Sequence, residues 1–170
     1  TLGGMVAGIK MPSSLKLTPI GGLYANNTET ENCRLYTYSG ICYTGTFQLE
    51  NASVHVNPDY QDTPRSFDTM ELVLDEPVSS AEEVKALGIQ AGNYVCFDPR
   101  TVFTPSGYIK SRFLDDKLST AILLGCAKYL KDENIRLSRR VVQHITVFEE
   151  TGHGGCASIA PDIEEFLSVD

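Results

Sequence analysis

Short apolar runs separated by Gly- and Pro-containing turns dominate the first 100 residues. They are rich in β-branched and aromatic residues, which predicts strands. The predicted strands lie at residues 5–9, 15–20, 34–38, 41–47, 52–56, 70–75 and 94–97. Ser39-Gly40 separates two of them as a hairpin turn. Many short strands of this kind predict a small barrel or sandwich.

A single helix interrupts this β pattern between the last two strands. Ser79 with Glu82, or Ser80 with Glu83, fits a capping box at its beginning. Gly88 suits the left-handed residue that follows a helix end. Residues 57–67, with two prolines and many polar residues, predict a mobile surface loop.

The pattern changes to a helical period after residue 100. Apolar or small residues recur at a spacing of three and four, at Leu118, Ala121, Ile122, Gly125, Cys126 and Tyr129. Gly125 and Cys126 are small enough for this face to approach a sheet closely. The stretch at 140–148, which is rich in Val, Ile and Phe, predicts a buried strand, with a short helix near 154–159 and a further strand at 166–169. The order β/α/β/α/β predicts an α/β domain at 101–170, preceded by a β-barrel-like domain at 1–100.

Charge and cysteine usage restrict the partners. The net charge of −8 argues against nucleic acid or an anionic membrane. The five cysteines show no zinc-ligand spacing, which favours free thiols and a reducing compartment. No apolar stretch approaches the roughly 18 residues of a membrane span, and no signal peptide opens the chain. We therefore expect a cytoplasmic protein.

Carboxylates stand at the ends of successive predicted elements, at Asp115, Glu149, Glu150 and Asp170. If the strands are parallel, these acids meet at one edge of the sheet, where a divalent metal would relieve their repulsion. Each acid also has an ordinary explanation, as a helix cap or a solvated strand end. A glycosidase acid pair is a further alternative, but adjacent Glu149 and Glu150 cannot easily flank a sugar ring.

These residues carry a resemblance to a known family. Leu-Asp-Asp-Lys at 114–117, Glu-Glu-Thr-Gly at 149–152 and Val-Asp at 169–170 resemble motifs of the di-metal aminopeptidases of the tetrahedral, glutamyl-aminopeptidase and cellulase-M-like type. Pro-Ile-Gly-Gly at 19–22 resembles a landmark of their inserted β-domain. The resemblance implies half of a zinc-peptidase-like α/β sandwich plus an inserted small β-barrel-like domain that serves oligomerisation and substrate access.

The same resemblance implies a function. The enzyme would remove N-terminal residues from peptides with two divalent ions, zinc or cobalt. Asp115, Glu150 and Asp170 would be metal ligands and Glu149 the general base, with a cis peptide bond after Asp115. The resemblance further implies a homo-oligomer, a dimer building into a dodecamer.

Three departures from the family pattern bear on these expectations. Lys117 replaces an Arg, and Thr151 replaces a small aliphatic residue. The two His ligands of the family are absent from the sequence, since His55 and His144 do not fit those roles. We expect His153, in the glycine-rich turn beside the acids, to lie on the surface or to support the site, with substrate contact as the alternative. The chain begins without Met and both its ends adjoin apolar runs, so we expect an internal fragment with an incomplete metal site. The alternative is a non-catalytic assembly or binding segment of a peptidase-like protein.

Overall fold

The computed structural model describes residues 2–10, 13–155 and 159–170. The chain forms two compact units, Thr1–Asp98 and Pro99–Asp170. Within the described residues, no helix is both long and apolar enough to cross a membrane.

The first unit is a closed antiparallel barrel of six strands. In chain order these are β1 (Gly3–Lys10), β2 (Ser14–Ile20), β3 (Glu31–Tyr36), β4 (Cys42–Leu49), β5 (Met70–Leu74) and β6 (Tyr94–Phe97). Around the barrel they follow the order β1-β2-β5-β4-β3-β6. Closure gives every strand a hydrogen-bonded neighbour on both sides. The predicted barrel-like domain and the α/β class are confirmed.

Alternating burial along the strands fills the barrel with apolar side chains. On β3, Cys33 and Leu35 point inward while Arg34 and Tyr36 point outward, as the two-residue period of a strand requires. The fully buried members of this core are Val6, Leu15, Leu17, Leu35, Phe47, Leu49, Met70, Leu72, Val84, Ile89, Val95 and Phe97. The hydrophobic runs of the sequence therefore form a single core in this unit.

Helix α1 (Ala81–Ala86) begins at a capping box. The Ser80 hydroxyl accepts the Glu83 backbone N–H at 3.2 Å. The Glu83 carboxylate accepts the Ser79 backbone N–H at 2.6 Å and the Ser79 hydroxyl at 3.0 Å. These bonds, led by the one from the backbone N–H, lower the pKa of Glu83. Gly88 follows the helix with a φ of 80°, so both predicted helix boundaries are confirmed.

Residues 50–69 differ from the prediction in one stretch. The predicted strand at 52–56 is wrong, because that stretch consists of turns closed by Val56 and Asn57 N–H bonds to Ser53. The loop after it is anchored by Arg65, which donates to Glu29 at 2.9 Å and to the Tyr60 and Thr63 carbonyls at 2.8 Å each. A guanidinium can bind several acceptors at once because its donors form a rigid fork.

The second unit contains a two-stranded hairpin and one long helix. The hairpin pairs β7 (Val102–Phe103) with β8 (Ile109–Lys110), and α2 covers Leu114–Asp132. Part of the predicted helix 154–159 lies outside the described residues.

The strands predicted at 140–148 and 166–169 are not present, and the expected parallel arrangement is wrong for the described residues. Both runs are exposed, for example Val147 at 78% and Leu167 at 86%. A strand of a parallel sheet is stabilised by neighbouring strands and by helices on its faces. The described residues of this unit supply neither around these runs. Gly125 has no heavy atom within 4 Å of an added Cβ, so the predicted close approach to a sheet is also absent here.

Candidate functional site

Asp115 lies at an irregular beginning of α2. Phe113 precedes the helix with a φ of 60°, in the left-handed region that is uncommon for non-glycine residues. Asp115 itself has non-helical angles, φ −79° and ψ 112°. The peptide bond between Asp115 and Asp116 is cis, as the resemblance implied. The Asp115 carboxylate is therefore exposed on a turn ahead of the regular helix.

Two side chains beside Asp115 were not singled out as site residues from the sequence. The Lys117 ammonium lies 5.2 Å from the centre of the Phe113 ring, within the range of a cation–π contact. One carboxylate oxygen of Asp116 is buried without a hydrogen-bond partner among the described residues. The left-handed conformation of Phe113 has no signal in the sequence, because aromatic residues rarely adopt it.

Glu149 and Glu150 occupy one turn of 3₁₀ helix, Glu149–Thr151, rather than the end of a strand. The Gly152 N–H donates to the Glu149 carbonyl at 2.7 Å, and the His153 N–H donates to the Phe148 carbonyl at 2.9 Å. Gly152 has a φ of 81°, a conformation glycine adopts without strain. The glycine-rich motif thus folds the chain back directly after the acid pair, with Glu149 exposed and Glu150 half-buried.

Asp170 is exposed and lies outside any regular element. Within the described residues, no group of three or more His, Cys, Asp or Glu side chains is placed to hold a metal ion. Carboxylate oxygens suit a divalent metal, but the four predicted acids do not form a donor set in this chain. The structure keeps Glu149 with Glu150 in one turn and does not join them with Asp115 and Asp170 into a cluster.

Similarity to known proteins identifies the family. Residues 1–170 match the model of the M42 glutamyl aminopeptidase family, so the chain belongs to that family. It is 44% identical over 170 residues to YhfE of Bacillus subtilis, a protein that carries a provisional aminopeptidase name, and covers 49% of it. It is 25% identical over 171 residues to the lysyl aminopeptidase of Pyrococcus furiosus; the match takes in 99% of this chain and 47% of that protein.

A solved structure has a similar fold. The Pyrococcus horikoshii TET1 peptidase aligns with a TM-score of 0.62 and 22% identity, over 78% of this chain and 38% of that one. The chain spans about half the length of the curated relatives it matches.

Proposed function

We propose that the full-length protein is a metallo-aminopeptidase that removes N-terminal residues from peptides. The observation that carries this proposal is the match of the whole chain to the M42 glutamyl aminopeptidase family. The family motif includes the acid pair Glu149-Glu150, which the structure holds in a glycine-closed turn. Two adjacent carboxylates with separate environments, one exposed and one half-buried, can take separate roles.

In this proposal Asp115, Glu150 and Asp170 would hold two divalent ions, zinc or cobalt, in the full-length protein, although the described residues of this chain do not bring them into one donor set. Their oxygen donors suit divalent cations, and the Asp115 carboxylate is exposed in the irregular first turn of α2. When bound, such ions polarise a carbonyl and lower the pKa of a coordinated water. The remaining ligands would come from parts of the protein outside the described residues.

Glu149 is proposed as the general base. Its exposed carboxylate takes a proton from the attacking water and then delivers it to the amine that leaves. The turn closed by Gly152 fixes the backbone on which Glu149 is carried. Glu149 is adjacent in the chain to the proposed metal ligand Glu150, which supports a base close to the proposed metals that is not itself a ligand.

The proposed partners are peptide substrates and further copies of the same chain, as a dimer building into a dodecamer. The Pyrococcus horikoshii TET1 peptidase, which has a similar fold, assembles into a tetrahedron or a large octahedral shell. The barrel of Thr1–Asp98 is proposed as the oligomerisation and substrate-access domain, and residues from Pro99 onward as part of the catalytic domain. A cytoplasmic location is proposed because Cys33, Cys42, Cys96 and Cys126 are free thiols.

A Glu149→Gln variant of the full-length protein tests the proposal. Peptide hydrolysis should fall by about 10²–10⁴-fold in kcat, while the bound metal, measured by elemental analysis, stays unchanged. Glu164→Gln, an exposed acid in the same unit, is the matched control and should keep full activity. If the unsubstituted full-length protein binds no metal and hydrolyses no peptide, the alternative holds. The chain is then a non-catalytic assembly or binding segment of a peptidase-like protein.

A further inference from the structure

An open cavity of about 550 Å³ lies at the C-terminal end of α2, at the opposite end of the helix from Asp115. Its walls are built by the end of the helix and the segment that follows it. Three apolar side chains line it, Leu130, Ile135 and Leu137. So do three cationic side chains, Lys131, Arg136 and Arg139. This volume is in the range of small-molecule binding sites.

Backbone hydrogen bonds fix the shape of this cavity. The Glu133 N–H donates to the Tyr129 carbonyl at 3.0 Å, and the Ile135 N–H donates to the Leu130 carbonyl at 2.9 Å. Asn134 adopts a left-handed conformation with a φ of 52°, which ends the helix and reverses the chain. These bonds fix the backbone that carries the lining side chains at the end of the helix.

The cations of the cavity are unusual for a chain with a net charge of −8. Lys131 and Arg136 make no ion pair with any residue that the structure describes. Glu133 lies in the same turn but does not line the cavity. Two positive charges beside an apolar wall therefore have no ion-pair partner among the described residues.

Arg139 shows that this rim can hold an oxyanion. Its Nη1 atom donates to the Glu165 carboxylate at 2.9 Å. Both side chains are exposed, with 68% and 82% of their surfaces accessible, so this pair adds little stability and a stronger anion can compete for the guanidinium. Arginine is well suited to phosphate and carboxylate because its donors match two oxygens at once.

The apolar wall specifies the other part of a ligand. Ile135 and Leu137 are 44% and 49% exposed, so covering them removes apolar surface from water, which favours binding by about 25 cal/mol per Å². An inorganic ion would satisfy the cations and leave this wall wet. A neutral apolar molecule would cover the wall and leave the cations unsatisfied.

We propose that this cavity binds a small organic anion with an apolar body and a phosphate or carboxylate head. The head lies against Lys131, Arg136 and Arg139, and the body lies against Leu130, Ile135 and Leu137. The site is separate from the proposed peptidase site, and the proposal does not depend on peptidase activity.

Titration of the purified chain with phenyl phosphate, followed by amide NMR, tests the proposal. We expect resonances of residues 130–139 to shift with a Kd of about a millimolar, the range for a ligand of this size in an open site. Phenylacetate distinguishes a carboxylate head from a phosphate head. Benzyl alcohol and inorganic phosphate, which lack the head and the body respectively, should each bind at least about tenfold more weakly.

Substitutions then distinguish binding in the cavity from a general electrostatic attraction between the anion and the chain. Arg136→Gln should weaken phenyl phosphate binding about tenfold, because one charge-assisted contact is lost. Lys110→Gln, which removes an exposed cation on the hairpin of the same unit, should leave it unchanged. Leu137→Asn should reduce the preference for phenyl phosphate over inorganic phosphate.

Three results would overturn the proposal. Phenyl phosphate could shift resonances across the whole unit, it could bind Arg136→Gln and the unsubstituted chain equally, or benzyl alcohol could bind equally well. The amide spectrum of each variant without ligand shows that the fold is retained, so a lost affinity is not confused with unfolding.

Discussion

The Phe47 side chain contacts two other aromatic rings in the barrel unit. It is fully buried on β4, with ring centres 5.5 Å from Phe97 and 5.3 Å from Phe67. Phe47→Ala should lower the free energy of unfolding by about 3–5 kcal/mol, because the transfer energy is lost and a cavity is left. Urea unfolding followed by circular dichroism measures this.

Thr44→Ala is the control for that substitution, since Thr44 is exposed on the same strand. Its effect should stay within about 0.5 kcal/mol. A loss below about 1 kcal/mol for Phe47→Ala would mean that the surrounding rings move to fill the space, contrary to a tightly packed barrel.

Glu83 gives a pH dependence whose sign follows from its hydrogen bonds. The bonds from Ser79 stabilise the charged carboxylate and lower the pKa of Glu83 in the folded state. A lowered pKa contributes stability that is present above the unfolded-state value and is lost as the pH falls through the folded-state value. Ser79→Ala should raise the pKa of Glu83 part of the way toward its ordinary value. Only the hydroxyl donor is removed, and the backbone donor, which has the larger effect, remains.

Carbon-detected NMR titration of the carboxyl groups measures this pKa shift. Ser106→Ala, which removes an exposed hydroxyl from the other unit, is the control and should leave the pKa of Glu83 as it is. An unchanged pKa for Glu83 in Ser79→Ala would show that the Ser79 hydroxyl makes no contribution to the cap.

At the scale of elements, Arg65 holds the long segment between β4 and β5. Besides its three hydrogen bonds, its guanidinium lies 4.8 Å from the centre of the Tyr60 ring. The pKa of Arg65 is raised above its ordinary value, mainly by the hydrogen bond to Glu29. The loop from residue 57 to 67 is therefore bound to the segment that precedes β3.

Arg65→Gln should release this loop while leaving the barrel intact. Hydrogen exchange of amides in residues 57–66 should become faster, since local opening no longer breaks the Arg65 contacts. Amides of β3 and β4 should keep their protection. Arg34→Gln, which removes an exposed arginine from the outer face of β3, is the matched control. Equal exchange in the two variants would contradict the role of Arg65 as the anchor.

The elements predicted correctly are those whose partners are close in the chain or in the same barrel. The hairpin β3–β4 is defined by alternation and by the turn at Gly40, whose φ is 84°. The boundaries of α1 are defined by Ser80 and Gly88. The segment 52–56 was predicted wrongly because Val54 and Val56 have strand propensity, whereas the turn is determined by Asn57, whose amide donates to the Asn51 carbonyl at 2.8 Å. A side-chain bond of this kind competes with a strand ladder.

At the scale of the whole molecule, the two units differ in how far their sequences determine their structure. The barrel closes on itself, so every strand finds its neighbours within residues 3–97. The apolar runs at 140–148 and 166–169 have the composition of buried strands, but burial of both faces requires further layers of secondary structure. The sequence motifs identify each candidate acid individually. The prediction that the acids meet at one sheet edge required parallel strands at 140–148 and 166–169, which the described residues do not form.

This difference leads to a prediction about metal binding by the 170-residue chain. The described residues contain no three-ligand group, so a metal ion would have to order the chain as it binds. Fixing each residue costs about 1–2 kcal/mol of conformational entropy. Cobalt(II) should therefore occupy the chain only partially, well below two equivalents, at concentrations that saturate the full-length protein.

Visible and near-ultraviolet absorption during a cobalt(II) titration measures that occupancy and separates two kinds of ligand. Binding to the free thiols, such as exposed Cys42 and Cys96, gives intense thiolate charge-transfer bands, whereas carboxylate ligands give only weak d–d bands. In the full-length protein Asp115→Asn should remove metal, because a proposed ligand is lost. In the 170-residue chain the same substitution should change little. Two tightly bound equivalents in the chain, abolished by Asp115→Asn and free of thiolate bands, would mean that these acids assemble a complete site on their own.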